Sequence, residues 1–179
     1  DRVFYEESDG GITLSGGECL LQHRACLEIL STMKEQGIRT AVDTCGFVTT
    51  DIIDTILPYT DVFLYDIKAI DDSVHIRCTG QSNRMILENL RHIDLAGVPI
   101  EIRIPYVPGY NDTQIPDIAD FLRTLKHLTK VRILPYHDYA RSKYQALQIK
   151  DTLPRVLPTD KEIRAAIHLL RTAGLPCTE

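Results

Sequence analysis

Ionisable residues stand near the carboxyl ends of several apolar, β-branched segments of this sequence. They are Asp43, Asp66, Lys68, Arg103 and His137. Strands of a parallel sheet that is covered on both faces are normally almost entirely apolar. Because burying an unpaired charge costs several kcal/mol, such groups must pair, bind a ligand or face a wet pocket. Ligands of α/β folds bind at the carboxyl ends of parallel strands, so the pattern predicts a ligand site there.

Asp66 and Lys68 are two residues apart, so in a strand their side chains project to the same face and can act on one ligand. The alternative is an ion pair between them that closes the end of the sheet. Considered singly, each of these residues is better explained by an ion pair. The five ionisable residues considered together, from four different strands, favour a ligand site. Lys68 also leaves open a different chemistry, in which it is the amine nucleophile of a Schiff-base lyase or aldolase on a barrel.

The segment SGGE, residues 15–18, follows the first apolar run. Its two glycines allow the backbone to approach a ligand closely just before a helix begins. Tight strand-to-helix turns use glycine for steric reasons as well, so this signal is weak when taken alone.

Five short apolar runs predict the strands that position these residues. They cover residues 11–15, 39–44, 61–68, 99–107 and 130–137. Helical periodicity and end signals predict helices over residues 19–36, 50–57, 82–96, 114–126 and 159–174, the last opened by a capping box of Thr159 and Glu162. Strands that alternate with helices indicate an α/β fold with a parallel sheet, either doubly wound or a full or partial barrel.

The composition is that of one globular domain. The chain has 179 residues, 44% of them hydrophobic, and a formal net charge of -5 without a basic block, which argues against nucleic-acid binding. It has no apolar run long enough for a membrane span, and its first residues are polar and do not form a basic start followed by an apolar run. Its five scattered cysteines indicate a reducing compartment, so we expect a cytoplasmic protein, and they include no close-spaced metal-ligand set.

Seven ordered motifs carry a family resemblance that covers nearly the whole chain. They are GGITLSGGECLLQ, TAVDTCGF, FLYDIKAIDDSVH, TGQSN, ILENLRHI, IEIRIPYVPGYND and ILPYH. Together they resemble the radical S-adenosylmethionine (SAM) enzymes that activate glycyl radical enzymes, of the pyruvate formate-lyase activating type. The resemblance implies a partial parallel (β/α) barrel with about five of the six βα units of the radical SAM core. Residues 1–179 are then a single truncated domain, and the first strand and cluster loop are expected to precede Asp1.

The resemblance also implies roles for individual residues. Those that match family positions contacting SAM are Gly16, Gly17, Glu18, Asp43, Lys68, Arg103 and His137. The turn at residues 16–18 offers carbonyl and carboxylate oxygens to the methionyl amino group. Asp43, Thr44 and Asp66 match positions that hold a monovalent cation beside the methionyl carboxylate, where the cation removes the repulsion between carboxylates. Residues 133–137 resemble the wall that contacts adenine and ribose.

The function implied for the intact parent is that of a radical SAM oxidoreductase. With SAM and a 4Fe-4S cluster reduced by a protein such as flavodoxin, it forms a 5′-deoxyadenosyl radical that abstracts hydrogen from a glycine of its partner, pyruvate formate-lyase or a relative. The family's CX3CX2C loop, which supplies the 4Fe-4S ligands, has no counterpart in this sequence. We therefore expect the chain alone to be catalytically inactive. A further alternative is a cluster-free module that binds SAM or docks on a glycyl radical enzyme.

Some local expectations accompany this interpretation. The 11–15 strand would be an unpaired sheet edge, which predicts self-association through it or disorder of the first ten residues. Tyr65 is expected in the core, and His75 in a solvated polar loop. Cys19 at a helix start is expected to carry a somewhat acidic thiol.

Overall fold

A computed structural model of the chain describes residues 10–139, 141–148, 150–151 and 154–178, together with residues 3, 5 and 7. Its centre is one sheet of six parallel strands. These are β1 (Gly11–Leu14), β2 (Arg39–Thr44), β3 (Val62–Asp66), β4 (Ile100–Tyr106), β5 (Leu128–Pro135) and β6 (Cys177–Thr178). The strands lie side by side in chain order. A doubly wound sheet would reverse its strand order at a switch point, so the fold is the partial parallel (β/α) barrel that the family resemblance implied.

Helices separate the strands and cover the outer face of the sheet. They are α1 (His23–Glu35), α2 (Thr50–Ile56), α3 (Asp72–Thr79), α4 (Arg84–Leu95), α5 (Ile115–Leu122), α6 (Arg141–Ala146) and α7 (Asp160–Thr172). The five predicted strands and five predicted helices are confirmed in place, while α3, α6 and the two-residue β6 were missed. Within the described ranges, no helix is long and apolar enough to cross a membrane.

The strands divide their side chains between two chemically different faces. On β3, Phe63 and Tyr65 are fully buried among the helices. The alternating residues, such as Leu64 and Asp66, are partly exposed on the concave face. Since successive side chains of a strand point to opposite faces, the apolar core lies between sheet and helices and the charged groups line the open side.

The predictions for Tyr65 and His75 had opposite outcomes. Tyr65 is a core residue as predicted, and its phenol Oη donates a hydrogen bond of 2.7 Å to the carbonyl of Ile86. The prediction for His75 was wrong, because this residue is 3% exposed and lies within α3. Its ring Nδ1 lies 2.8 Å from the carbonyl oxygen of Gln81. The short α3 has a weakly amphipathic sequence, so it leaves no clear periodic signal, but packing turns one face of it inward.

Candidate functional site

Arg103 on β4 joins two carboxylates from neighbouring strands. Its Nε donates to Oδ1 of Asp66 on β3 at 3.0 Å. Its Nη1 donates to Oδ2 of Asp43 on β2 at 3.0 Å, and Nη2 donates to the other oxygen of Asp43. The three side chains are about one-fifth exposed: 20% for Arg103, 19% for Asp43 and 23% for Asp66. The guanidinium is therefore held by carboxylates from two strands at the carboxyl-end edge of the concave face, which we call the rim.

Lys68 brings this cluster to four side chains whose formal charges balance. Lys68 places its Nζ 3.5 Å from Oδ2 of Asp66, so two cations face two carboxylates. Burial acts to lower the pKa of Arg103, but its hydrogen bonds and the charges of Asp43 and Asp66 outweigh burial and raise that pKa. The ion pair that the sequence left as an alternative for Asp66 and Lys68 is present, and it forms part of a larger cluster.

The SGGE turn lies beside this cluster at the end of β1. Ser15 donates its hydroxyl to Oδ2 of Asp43 at 2.8 Å. Gly16 and Gly17 have φ angles of 102° and 57°, which side chains with a Cβ rarely adopt. A Cβ placed on either glycine would meet no atom within 4 Å, so the space above the turn is open. The backbone of this turn is therefore accessible to a ligand.

Glu18 ties the turn to the end of β2. Its Oε1 accepts from the backbone N–H of Leu20 at 3.2 Å and from the hydroxyl of Thr44 at 2.7 Å. Its Oε2 accepts from the N–H and the thiol of Cys45, at 2.9 and 3.1 Å. Burial, followed by this hydrogen bond to Glu18, raises the pKa of the Cys45 thiol and keeps it a donor. The negative charge of Glu18 is thus held in a fixed position.

The prediction of an acidic Cys19 thiol was wrong. Cys19 is 8% exposed, and its Sγ donates to the backbone carbonyl of Asp43 at 3.3 Å. Burial, and then the charges and hydrogen bonds of neighbours led by Cys26, raise the pKa of Cys19 to about 12. The thiol points into the protein, away from the helix N-terminus that would have lowered its pKa.

His137 lies apart from the cluster. Its ring is exposed and stacks on Tyr139, with 4.3 Å between the ring centroids. The structure thus brings together four of the five ionisable residues that the sequence placed at strand ends and leaves this one outside. Sequence analysis also missed the ion pair of Arg132 with Glu101 on the same concave face. Glu101 stands two residues before Arg103 on β4, and this spacing was the signal that could have placed it on the same face.

Buried amide side chains hold the loops that carry the site. Asn111 donates to the carbonyls of Lys68 and Pro105, at 2.7 and 2.6 Å, and accepts from Val107 N–H at 2.8 Å. Asn89 donates to the carbonyls of Gly46 and Val48 in the loop after β2, at 2.9 and 2.6 Å. Buried amides were not predicted from sequence, because an isolated Asn carries no signal of the carbonyls it will meet.

The sequence is similar to a known family and to curated proteins over most of its length. The family described as "Radical SAM superfamily" matches residues 2–122. The pyruvate formate-lyase-activating enzyme of Clostridium pasteurianum is 37% identical over 169 residues, covering 93% of this chain and 71% of that protein. The chain belongs to the radical SAM superfamily, among the activating enzymes of glycyl radical enzymes.

Other radical SAM activating enzymes extend this relationship. The trans-4-hydroxy-L-proline dehydratase activating enzyme of Clostridioides difficile is 39% identical over 155 residues, which are 84% of this chain and 51% of that protein. The chain thus spans about half of that relative's length. The solved structure of a domain of pyruvate-formate lyase-activating enzyme from Bacteroides vulgatus superposes with a TM-score of 0.79 at 31% identity. That match covers 94% of this chain and 98% of the domain.

Radical SAM enzymes use SAM and a 4Fe-4S cluster, and the two groups fit these residues differently. An open glycine turn beside fixed carboxylates and cations suits the zwitterionic methionyl tail of SAM. In the part of the chain that the structure describes, no three His, Cys, Asp or Glu side chains are arranged to hold a metal ion. The described residues therefore do not fit the cluster.

Proposed function

We propose that the rim of this sheet binds the methionyl end of SAM, and that the whole protein uses SAM to activate a glycyl radical enzyme. The proposal rests on one observation. Asp43, Asp66, Lys68 and Arg103, from three successive strands and the loop after the second of them, converge beside an accessible glycine turn. A cluster that served only to close the sheet would not require the adjacent turn to stay open.

Each part of the rim has a separate task in this proposal. The carbonyls at Gly16 and Gly17 accept from the methionyl ammonium, and the fixed charge of Glu18 lies next to it. Arg103 and Lys68 donate to the methionyl carboxylate. When Arg103 turns toward that carboxylate, Asp43 and Asp66 lose its positive charge. A monovalent cation bound between them replaces that charge.

In the arrangement that the structure shows, Thr44 and His137 are engaged by other residues of the protein. Thr44 donates its hydroxyl to Glu18 and accepts from the N–H of Gly46 at 2.8 Å, so we propose that it supports the cation site indirectly. His137 must leave its stack on Tyr139 to reach the sugar. Both assignments come from the family resemblance.

The activity proposed for the whole protein follows its relatives. SAM, bound together with a reduced 4Fe-4S cluster, supplies the radical chemistry of the family. Relatives are named as activating enzymes of pyruvate formate-lyase, choline trimethylamine-lyase and isethionate sulfite-lyase. We therefore propose a glycyl radical enzyme as the partner class, with a flavodoxin-type protein as reductant. The Schiff-base alternative is disfavoured because Lys68 is ion-paired with Asp66.

Binding of SAM tests this proposal directly. We expect NMR titration of the labelled chain to show that SAM and S-adenosylhomocysteine shift the amides of residues 15–18 and 43–46. Methylthioadenosine, which lacks the amino-acid tail, should bind at least about tenfold more weakly, because it cannot form the charge-assisted hydrogen bonds. Arg103→Gln should weaken SAM binding, whereas Arg123→Gln, whose side chain is 62% exposed, should not.

Two results would contradict the proposal. One is equal affinity for SAM and methylthioadenosine, which would show that the charged rim does not contact the tail. The other is a stable borohydride-reduced adduct on Lys68 with a carbonyl substrate, which would identify an amine nucleophile instead.

A further inference from the structure

The loop that follows β2 holds the carboxylate of Glu18. Thr44 donates its hydroxyl to Oε1 at 2.7 Å, and Cys45 donates its N–H to Oε2 at 2.9 Å. The N–H of Gly46 donates in turn to the hydroxyl oxygen of Thr44 at 2.8 Å. The place of the Glu18 carboxylate is therefore set by the backbone conformation of residues 44–46.

One side chain of α4 fixes that backbone. Asn89 is 0% exposed, and its amide nitrogen donates to the carbonyls of Gly46 and Val48, at 2.9 and 2.6 Å. Its amide oxygen accepts from the hydroxyl of Thr50 at 2.9 Å. Both N–H groups and the oxygen of this buried amide are thus used by the same loop. Without Asn89, two carbonyls would lose these partners, and the loop would have to move to regain hydrogen bonds.

The core closes the other side of this loop. Gly46 has a φ angle of 71°, and a Cβ placed on it would overlap the phenol oxygen of Tyr65. That oxygen donates at 2.7 Å to the carbonyl of Ile86, which lies on α4 together with Asn89. The loop therefore cannot shift into the core, and any displacement of it moves the groups that hold Glu18.

Asn83 is a buried amide of the same kind in a different place. It is 2% exposed and donates to the carbonyls of Ala69 and Ile70, at 3.0 and 2.8 Å. These carbonyls lie in the loop that follows β3, and within the described ranges no hydrogen bond joins Ala69 or Ile70 to Glu18. A comparison of Asn83 with Asn89 therefore separates a general role in packing from an effect on Glu18.

We infer that Asn89 is a positioning residue of the candidate site, which acts through the loop after β2 to hold Glu18 where it accepts from the ammonium group of a ligand. This role rests on the proposed binding of the methionyl tail of SAM. Asn89 is fully buried, so it does not contact a ligand itself. Its loss should weaken recognition of the ammonium group and spare recognition of the carboxylate, which is assigned to Arg103 and Lys68.

The affinities of two ligands test this role. S-adenosylhomocysteine carries both charges of the tail, whereas its desamino analogue keeps the carboxylate and lacks the ammonium group. We expect NMR titration of the wild-type chain to show about tenfold tighter binding of S-adenosylhomocysteine, because the analogue loses a charge-assisted hydrogen bond. In Asn89→Leu this ratio should fall close to one, with the affinity for the analogue retained. Asn83→Leu is the matched control and should keep the wild-type ratio.

A milder variant and a direct measurement apply if Asn89→Leu does not fold. Thr50→Val removes only the hydroxyl that holds the amide oxygen of Asn89, and it should lower the ratio by about twofold to threefold. The N–H of Cys45 reports the position of Glu18 without any ligand, since it donates to that carboxylate. Its hydrogen exchange should be faster in Thr50→Val than in the wild type and unchanged in Asn83→Leu.

Three results would overturn the positioning role. One is a wild-type ratio that Asn89→Leu and Thr50→Val both retain. Another is an equal fall of the ratio in Asn83→Leu, which would show that any loosening of the core has this effect. A wild-type ratio near one would contradict the proposed contact of Glu18 with SAM. The exchange of the Cys45 N–H then tests the positioning of Glu18 by itself, and an unchanged rate in Thr50→Val is the third result.

Discussion

At the scale of single residues, Arg103 decides whether the rim of the sheet is stable. Asp43 and Asp66 come from neighbouring strands and both direct carboxylate oxygens at the same guanidinium. Removing one partner of such a cluster leaves the others charged and poorly solvated, which costs more than the intact cluster contributes.

We expect Arg103→Gln to lower the free energy of unfolding by about 2–4 kcal/mol at pH 7, since the two carboxylates lose their shared cation. Urea unfolding measures this loss. In an Asp43→Asn background the deficit should be smaller, because one of the two carboxylates that share the cation is gone. Arg123→Gln, on an exposed i,i+3 pair, should change stability by less than about 0.5 kcal/mol. A deficit of the same size in that background would mean that lost packing, and not charge, is responsible.

The cysteines should differ sharply in reactivity. Burial raises the pKa of Cys19 to about 12, while Cys78 is an exposed residue. Because the thiolate is the reactive form, iodoacetamide at pH 8 should label Cys78 first and leave Cys19 largely unmodified in the folded protein. Peptide mapping by mass spectrometry gives the order, and labelling in urea, where all thiols are exposed, is the control. Rapid modification of native Cys19 would contradict its burial and its hydrogen bond to the carbonyl of Asp43.

At the scale of elements, the clearest agreement between sequence and structure is at α7. The hydroxyl of Thr159 accepts from the N–H of Glu162 at 3.3 Å, and the carboxylate of Glu162 accepts from the N–H of Thr159 at 2.7 Å. The sequence predicted this capping box because its two partners are only three residues apart. The signals for α3 were weaker, and β6 is too short to show any periodicity.

We expect Thr159→Ala to destabilise the protein by about 1 kcal/mol through loss of this cap. The backbone N–H and the hydroxyl of Thr159 lower the pKa of Glu162. A lowered pKa means that this contribution is complete above the ordinary pKa of glutamate and is lost as pH falls through the lowered value. The mutant keeps the backbone N–H and loses only the hydroxyl, so the difference in the free energy of unfolding between wild type and mutant, measured in urea, should narrow in acid by the hydroxyl's share alone. Thr172→Ala, at the exposed far end of α7, is the control and should show no such narrowing.

At the scale of the whole molecule, the sheet leaves β1 paired on one side with β2 in the described part of the chain. The alternate residues of β1 are exposed, and no described strand pairs with its outer edge. Edges of this kind pair with other chains unless they are blocked by charge or covered. Self-association through residues 11–15 stays a prediction, and the alternative, disorder of the first ten residues, falls mainly outside the described residues.

We expect sedimentation velocity to show association that increases with protein concentration. Thr13→Lys should weaken it, because a lysine on an edge strand opposes pairing with a second edge. Thr55→Lys adds the same charge at an exposed position on α2 and should leave association unchanged. A wild-type chain that stays monomeric at every concentration, with β1 ordered, would refute the prediction.

The sequence by itself determined the order of five strands and five helices, the capping box of α7 and the residues that stand at strand ends. These features depend on periodicities of two and 3.6 residues and on partners within one helical turn. The motifs also indicated the family, which resolved the choice between a doubly wound sheet and a partial barrel.

Only the tertiary structure decided which groups meet. Arg103 pairs with Asp43 from 60 positions away, Glu18 is fixed by the end of another strand, and His75 turns inward while His137 stays outside the cluster. Contacts of this range depend on sheet register, curvature and helix packing, which no local pattern encodes.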